Sequence, residues 1–103
     1  MKRRFTGAPD MDDFRTVIST DSDYVLSAEE QTLFVNVTLT AASKSLTLGL
    51  GEGDTMLVTN IGSTNAVTVK AIAGDTGTSL AAGKCAICIG SATANASKVL
   101  VLN

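Results

Sequence analysis

A chain of 103 residues is the size of one domain, and a 45% hydrophobic content is ordinary for a globular one. Only 4% is aromatic, with no histidine and no tryptophan, so the core has to be built from Val, Leu, Ile and Ala. The net charge of −2 is uneven: Lys2, Arg3, Arg4 and Arg15 outweigh Asp10, Asp12 and Asp13, while the remainder is acidic, which argues against a general nucleic-acid-binding surface.

The N-terminal segment differs from the rest. It holds the only proline, Pro9, three basic residues in Lys2-Arg3-Arg4, and the acidic cluster Asp10-Met11-Asp12-Asp13. Gly7-Ala8-Pro9 blocks a helix through that point. A short helix over Met11–Ile18, with Asp10 as its N-cap, fits the residues that follow. Phe5, Phe14, Val17 and Ile18 are more apolar than a solvated tail requires. Residues 1–21 therefore read as an arm that packs on something and adds little to folding, and residues 22–103 as the folded domain. After MKRR, the stretch Phe5–Asp10 is not the apolar core of a signal peptide, and no stretch approaches the ~20 apolar residues of a membrane span. The chain is expected to be made in the cytoplasm, with neither membrane nor nucleic acid as partner.

From Tyr24 onward the chain reads as short strands. Asp23–Ser27 is a first strand and Ala28–Gln31 a turn. Leu33, Val35, Val37 and Leu39 alternate on one face of a strand over Thr32–Leu39. Ser45–Leu50 follows, then the turn Gly51-Glu52-Gly53-Asp54. The runs Thr55–Ile61 and Ala66–Ile72 flank the four-residue loop Gly62-Ser63-Thr64-Asn65, which predicts a hairpin. Ala73–Ser79 is a longer loop, Leu80–Lys84 a turn, and Cys85–Ile89 and Ser97–Leu102 are the closing strands. About eight strands at this spacing define an all-β class, a single sandwich or jelly-roll-like (tulip-like) domain. Once the arm is set aside the body is small and marginal alone, so self-association would supply missing burial.

No constellation of residues runs chemistry. Cys85-Ala86-Ile87-Cys88 lies in a predicted strand, where positions i and i+3 face opposite sides with Cα atoms roughly 10 Å apart. That is beyond the ~7 Å reach of a disulfide, and no histidine is present to complete a zinc site. Both thiols are expected to be free, one in the core and one on the other face. Asp21-Ser22-Asp23 lacks the further ligands of a calcium loop, and Asp10, Asp12 and Asp13 read equally as turn residues. Glu52 and Asp54 read the same way. No hydroxyl or thiol has a base beside it. The expectation is a protein that is not an enzyme and carries no metal and no cofactor.

The order of motifs in residues 23–102 resembles a small β-domain recurrent in tailed-phage virion proteins. In that domain a "Tyr-x-Leu-x-x-x-(acidic)" strand, here Tyr24–Glu30, precedes an "(aliphatic)-x-Val-Asn" strand, here Leu33–Asn36. A "Leu-Thr-Leu" strand (Leu46–Leu48), an "Asn-Ile-Gly-Ser" segment (Asn60–Ser63), "Val-Thr-Val" (Val67–Val69) and "Leu-x-Ala-Gly-Lys" (Leu80–Lys84) follow. Gly49 stands where the family usually has proline, and Gly90–Asn95 lacks its usual aromatic. The resemblance implies a structural virion protein of a tailed bacteriophage at the capsid surface, decorating or reinforcing the shell or forming the base of a head fibre. It implies a homotrimer, with the major capsid protein as partner. The arm would dock through Lys2, Arg3, Arg4, Phe5, Phe14, Arg15, Val17 and Ile18. A receptor- or carbohydrate-binding module of a tail fibre or baseplate is the alternative, weakened by the scarcity of exposed rings. A cellular adhesion sandwich is a third reading, without the signal peptide or neighbouring domains it would bring.

Overall fold

Alternating aliphatic residues need a second layer to cover their apolar side, and two sheets stacked face to face provide it. A computed structural model describes residues 14–102. In chain order it has β1 (Arg15–Thr20), β2 (Tyr24–Val25), a 3-10 turn (Ala28–Glu30), β3 (Phe34–Leu39), β4 (Lys44–Thr47), β5 (Thr55–Asn60), β6 (Val67–Lys70), β7 (Thr78–Leu80), β8 (Cys85–Ile89) and β9 (Lys98–Leu102). The protein is an all-β sandwich. One sheet has five strands in the order β1-β3-β5-β8-β9, and the other has four in the order β2-β4-β6-β7.

The first six strands alternate between the sheets and run parallel within each. Arg15 pairs with Phe34 and Phe34 with Leu57 in the five-stranded sheet; Lys44 pairs with Val67 in the other. The chain therefore winds as a flattened coil, each turn contributing one strand to each layer. Only β7, β8 and β9 return antiparallel, β7 on β6, β8 on β5 and β9 on β8.

The inward positions interdigitate as one core. Ile18, Val35, Val37, Leu39, Met56, Val58, Ala86 and Cys88 come from the larger sheet; Leu46, Val67, Val69 and Leu80 come from the smaller. Leu26, Leu48, Leu50 and Ala71 fill in from the connections. Each fully buried aliphatic side chain stabilises the fold by about 1.5–3 kcal/mol.

Two expectations are corrected. Arg15–Thr20 is a strand, not the end of a helix, and Ile18 on it is core, so the sandwich begins at Arg15 and not after residue 21. A parallel partner in β3 is why: the register from Arg15 with Phe34 to Thr20 with Leu39 hydrogen-bonds a segment that has no sequence-local partner. The start of that expected helix and its cap lie outside the described residues. Likewise, β5 and β6 do not form a hairpin, because they belong to different sheets.

Asn60 explains the second correction. Its side chain is fully buried and Nδ2 donates to the carbonyls of Asn65 and Leu80, both at 2.9 Å. Oδ1 accepts from the Gly62 N–H at 3.0 Å. Asn65 in turn donates from Nδ2 to the Leu39 carbonyl at 2.8 Å. These bonds carry residues 61–66 across from one layer to the other and satisfy backbone groups that would otherwise be buried without partners. At Gly49, φ is +70°. Proline's ring forbids that value, and Gln31 Nε2, donating to the carbonyls of Leu48 and Gly49 at 3.0 and 3.1 Å, occupies the space a Cβ would need.

Candidate docking surface

The strand register decides which side chains share an outer face. On the smaller sheet, Val25, Thr47 and Lys70 lie in one row and Ser45, Thr68 and Ser79 in the next. That face is mostly hydroxyl and amine, as a solvated sheet should be. The larger sheet is different. One outward row runs Arg15, Phe34, Leu57, Ile87, Leu100 across all five strands. The row beside it runs Val17, Asn36, Thr59, Cys85, Leu102. Ile89 and Lys98 face each other in a third. No carboxylate occupies an outward strand position on this sheet, and its two cations, Arg15 and Lys98, sit on the edge strands. The result is an apolar stripe, Phe34–Leu57–Ile87–Leu100, across an outward face that is otherwise mixed with the uncharged polar residues Ser19, Asn36, Thr38, Thr55 and Thr59.

At the far edge β9 overhangs the four-stranded layer. Val101 points inward yet remains 43% exposed, and Leu100 on the outer side is 54% exposed. At the opposite edge β1 has β3 on one side and no further strand among the described residues on the other. Val17 stands outward there, 61% exposed.

The expected arm residues divide. Lys2, Arg3, Arg4 and Phe5 lie outside the described residues. Phe14 is half-buried, while Arg15 and Val17 are exposed and in line with Phe34 and Asn36. Ile18 is buried in the core and is corrected as a docking anchor: its side chain already has partners in the sandwich. The outer row Phe34–Leu57–Ile87–Leu100 was missed by strand-by-strand reading. Its signal is present in the sequence, since Cys85–Ile89 and Val99–Leu102 are unbroken apolar runs of the kind found in strands covered on both faces.

Polar side chains elsewhere are engaged in holding loops. Tyr24 Oη donates to Glu30 Oε2 at 2.5 Å, and Glu30 Oε1 accepts from the Ser27 N–H at 2.8 Å. The Ser27 N–H and then the phenol hold the Glu30 carboxyl below its usual range, and the same carboxylate raises the pKa of Tyr24. Asp23 accepts from the Ser45 N–H at 2.9 Å; that bond, with the nearby Lys44 charge, lowers its pKa despite partial desolvation. Asp54 closes its turn by accepting from the Gly51 N–H at 3.1 Å. A shallow cleft of about 250 Å³ beside it is lined by Gln31, Thr32, Leu33, Leu50, Thr55 and Met56 as well.

Cys85 and Cys88 are both free thiols on opposite faces of β8, as the strand geometry requires. Burial, with the neighbouring Cys85, pushes the Cys88 thiol up to about 12, so it stays protonated and inert. Among the described residues no group of three His, Cys, Asp or Glu is placed to hold a metal ion, and no helix is long and apolar enough to cross a membrane. Compared with known proteins, the chain matches no family model, no curated protein and no solved structure.

Proposed function

We propose that this protein is a structural, non-enzymatic component of a tailed-phage virion that decorates or reinforces the capsid and works as a homotrimer. The phage assignment rests on the order of motifs from Tyr24 to Lys84. The docking reading rests on one observation: among the described residues β1 is the outermost strand of the five-stranded sheet. An edge strand presents unpaired N–H and C=O groups to which a strand of another protein can add. In sequence β1 follows the segment carrying Lys2, Arg3, Arg4 and Phe5, so the reading joins strand addition with apolar anchoring and charge. Tyr24 is half-buried and engaged by Glu30, so it does not offer an open ring platform for a sugar, which favours the docking reading over the carbohydrate-binding alternative.

Cosedimentation with heads of the phage that carries this gene, purified without the protein, tests the reading. The full chain should pellet with the heads, and a chain lacking residues 1–13 should not. Replacing Lys2 and Arg3 by Ala should weaken binding mainly at low salt, where screening is slight. Absence of binding by the full chain, or full affinity of the shortened one, would overturn it.

A further inference from the structure

We infer that the outer face of the five-stranded sheet is buried against further copies of this chain in solution. The inference deepens the self-association in the proposed function and rests on that part of it, not on the capsid.

Four observations carry it. The face is apolar through its centre, along Phe34, Leu57, Ile87 and Leu100, whereas the opposite sheet is polar outward. An apolar row running across all of β3, β5, β8 and β9 on the outward side is the pattern of strands covered on both faces. Second, its interior carries no charge, so it offers nothing for a charged partner to complement; loss of charge from the centre is the mark of a protein–protein interface. Third, five strands about 4.8 Å apart and about five residues long at ~3.3 Å each make a patch of about 24 by 17 Å. Side-chain relief brings its accessible area toward the ~800 Å² that each partner contributes to a stable interface. Fourth, the overhang of β9 leaves Val101 and Leu100 exposed on opposite faces of one strand, so the occupant has to wrap the edge as well as the face. Further copies turned toward a common threefold axis would present this same face and edge to one another, covering both sides of β9. The low aromatic content of the core makes the added burial worth having.

Cys85 sits on this face, next to Leu102, and reports on it. The test is light scattering and sedimentation of the full chain, together with the rate of maleimide labelling of Cys85, from about 1 to 100 μM. The wild-type chain should be an assembly at the high end, and Cys85 labelling should accelerate about tenfold or more as dilution dissociates it. Leu57→Lys and Ile87→Lys should be monomers with the wild-type circular dichroism spectrum and should still pellet with phage heads. Thr68→Lys, on the opposite sheet, should assemble normally. Should the Leu57 and Ile87 variants lose structure, Leu100→Ser and Leu102→Ser at the exposed edge serve in their place.

An assembly that survives the Leu57 and Ile87 changes would overturn the face while leaving self-association standing. A monomeric wild type with concentration-independent labelling would overturn both. Labelling that accelerates only when residues 1–13 are removed would show that the chain's own N-terminal segment covers the face, and would also overturn the inference.

Discussion

Asp75 and Asn95 hold each other's loops. Asp75 Oδ1 accepts from the Asn95 N–H at 2.6 Å, and Asn95 Oδ1 accepts from the Thr76 N–H at 2.7 Å. Asp75 Oδ2 also accepts from the Ile72 N–H at 3.3 Å. The exchange ties the β6–β7 loop of one sheet to the β8–β9 loop of the other. Asn95 sits at φ +64°, where Asn is better tolerated than most residues. Asp75→Ala should cost about 1.5–3 kcal/mol, because it strips a buried charged acceptor from two part-buried N–H groups. Asn95→Gly keeps the backbone and loses one acceptor, costing about 1 kcal/mol. Urea denaturation midpoints at neutral pH measure both, and equal costs would contradict this ranking.

Asn60 uses every side-chain hydrogen-bonding direction it needs in a dry interior. Asn60→Ala leaves two carbonyls and one N–H without partners and should cost about 3 kcal/mol or more. Asn60→Asp keeps the shape but sets carboxylate oxygens against the carbonyls of Asn65 and Leu80. It should be at least as damaging. A variant with wild-type thermal stability would show that the crossing does not depend on this side chain.

Acid should weaken the fold through Glu30 and Asp23. Both are held below their ordinary pKa values of 4.5 and 3.8 by backbone N–H groups, those of Ser27 and Ser45. A carboxyl depressed in the folded state adds stability above its unfolded pKa and loses it as pH falls through the folded one. The thermal midpoint should therefore be flat near neutrality and fall below about pH 4.5. The double variant Asp23→Asn, Glu30→Gln should have a shallower acid limb. Tyr24 shifts the other way, so its contribution is complete below pH 10 and fades above it.

Truncation should separate the N-terminal segment from the strand it leads into. Removing residues 1–13 should move the thermal midpoint by only a few degrees. Removing residues 1–20 also deletes β1 and takes Ile18 from the core, which costs about 1.5–3 kcal/mol for that side chain alone, before the lost ladder bonds. Equal midpoints for the two truncated chains would mean that β1 adds nothing.

The strands themselves were legible because a period of two survives in Leu33–Leu39 and Val67–Ala71 whatever the strand pairs with. For the same reason direction was not legible: alternation is identical in parallel and antiparallel ladders. The loop Gly62–Asn65 has hairpin length and composition, and what routes it elsewhere is non-local: the bond from Asn60 to Leu80, twenty residues on, and that from Asn65 to Leu39. β1 was hidden because Val17-Ile18 is a two-residue apolar signal whose partner, β3, is supplied from a distance. The turn chemistry of Asp54 and the separation of Cys85 from Cys88 are local, and both were readable. The unbroken apolar runs Cys85–Ile89 and Val99–Leu102 signal an outer apolar row, but which residues share it depends on cross-strand register.

The coil also orders events in time. Throughout the first half of the chain every strand pairing is parallel and spans about twenty residues, as from Arg15 to Phe34, whereas β6–β7 and β8–β9 are antiparallel pairs closed by short loops. Short closures form sooner than long ones, and pairings distant in sequence slow folding. Pulsed amide labelling during refolding should find Cys85–Ile89 protected before Arg15–Thr20; the reverse order would contradict this sequence of events. On the ribosome the consequence is a delay. The half made first has only the slow, parallel pairings to make within itself, so its order lags behind its emergence.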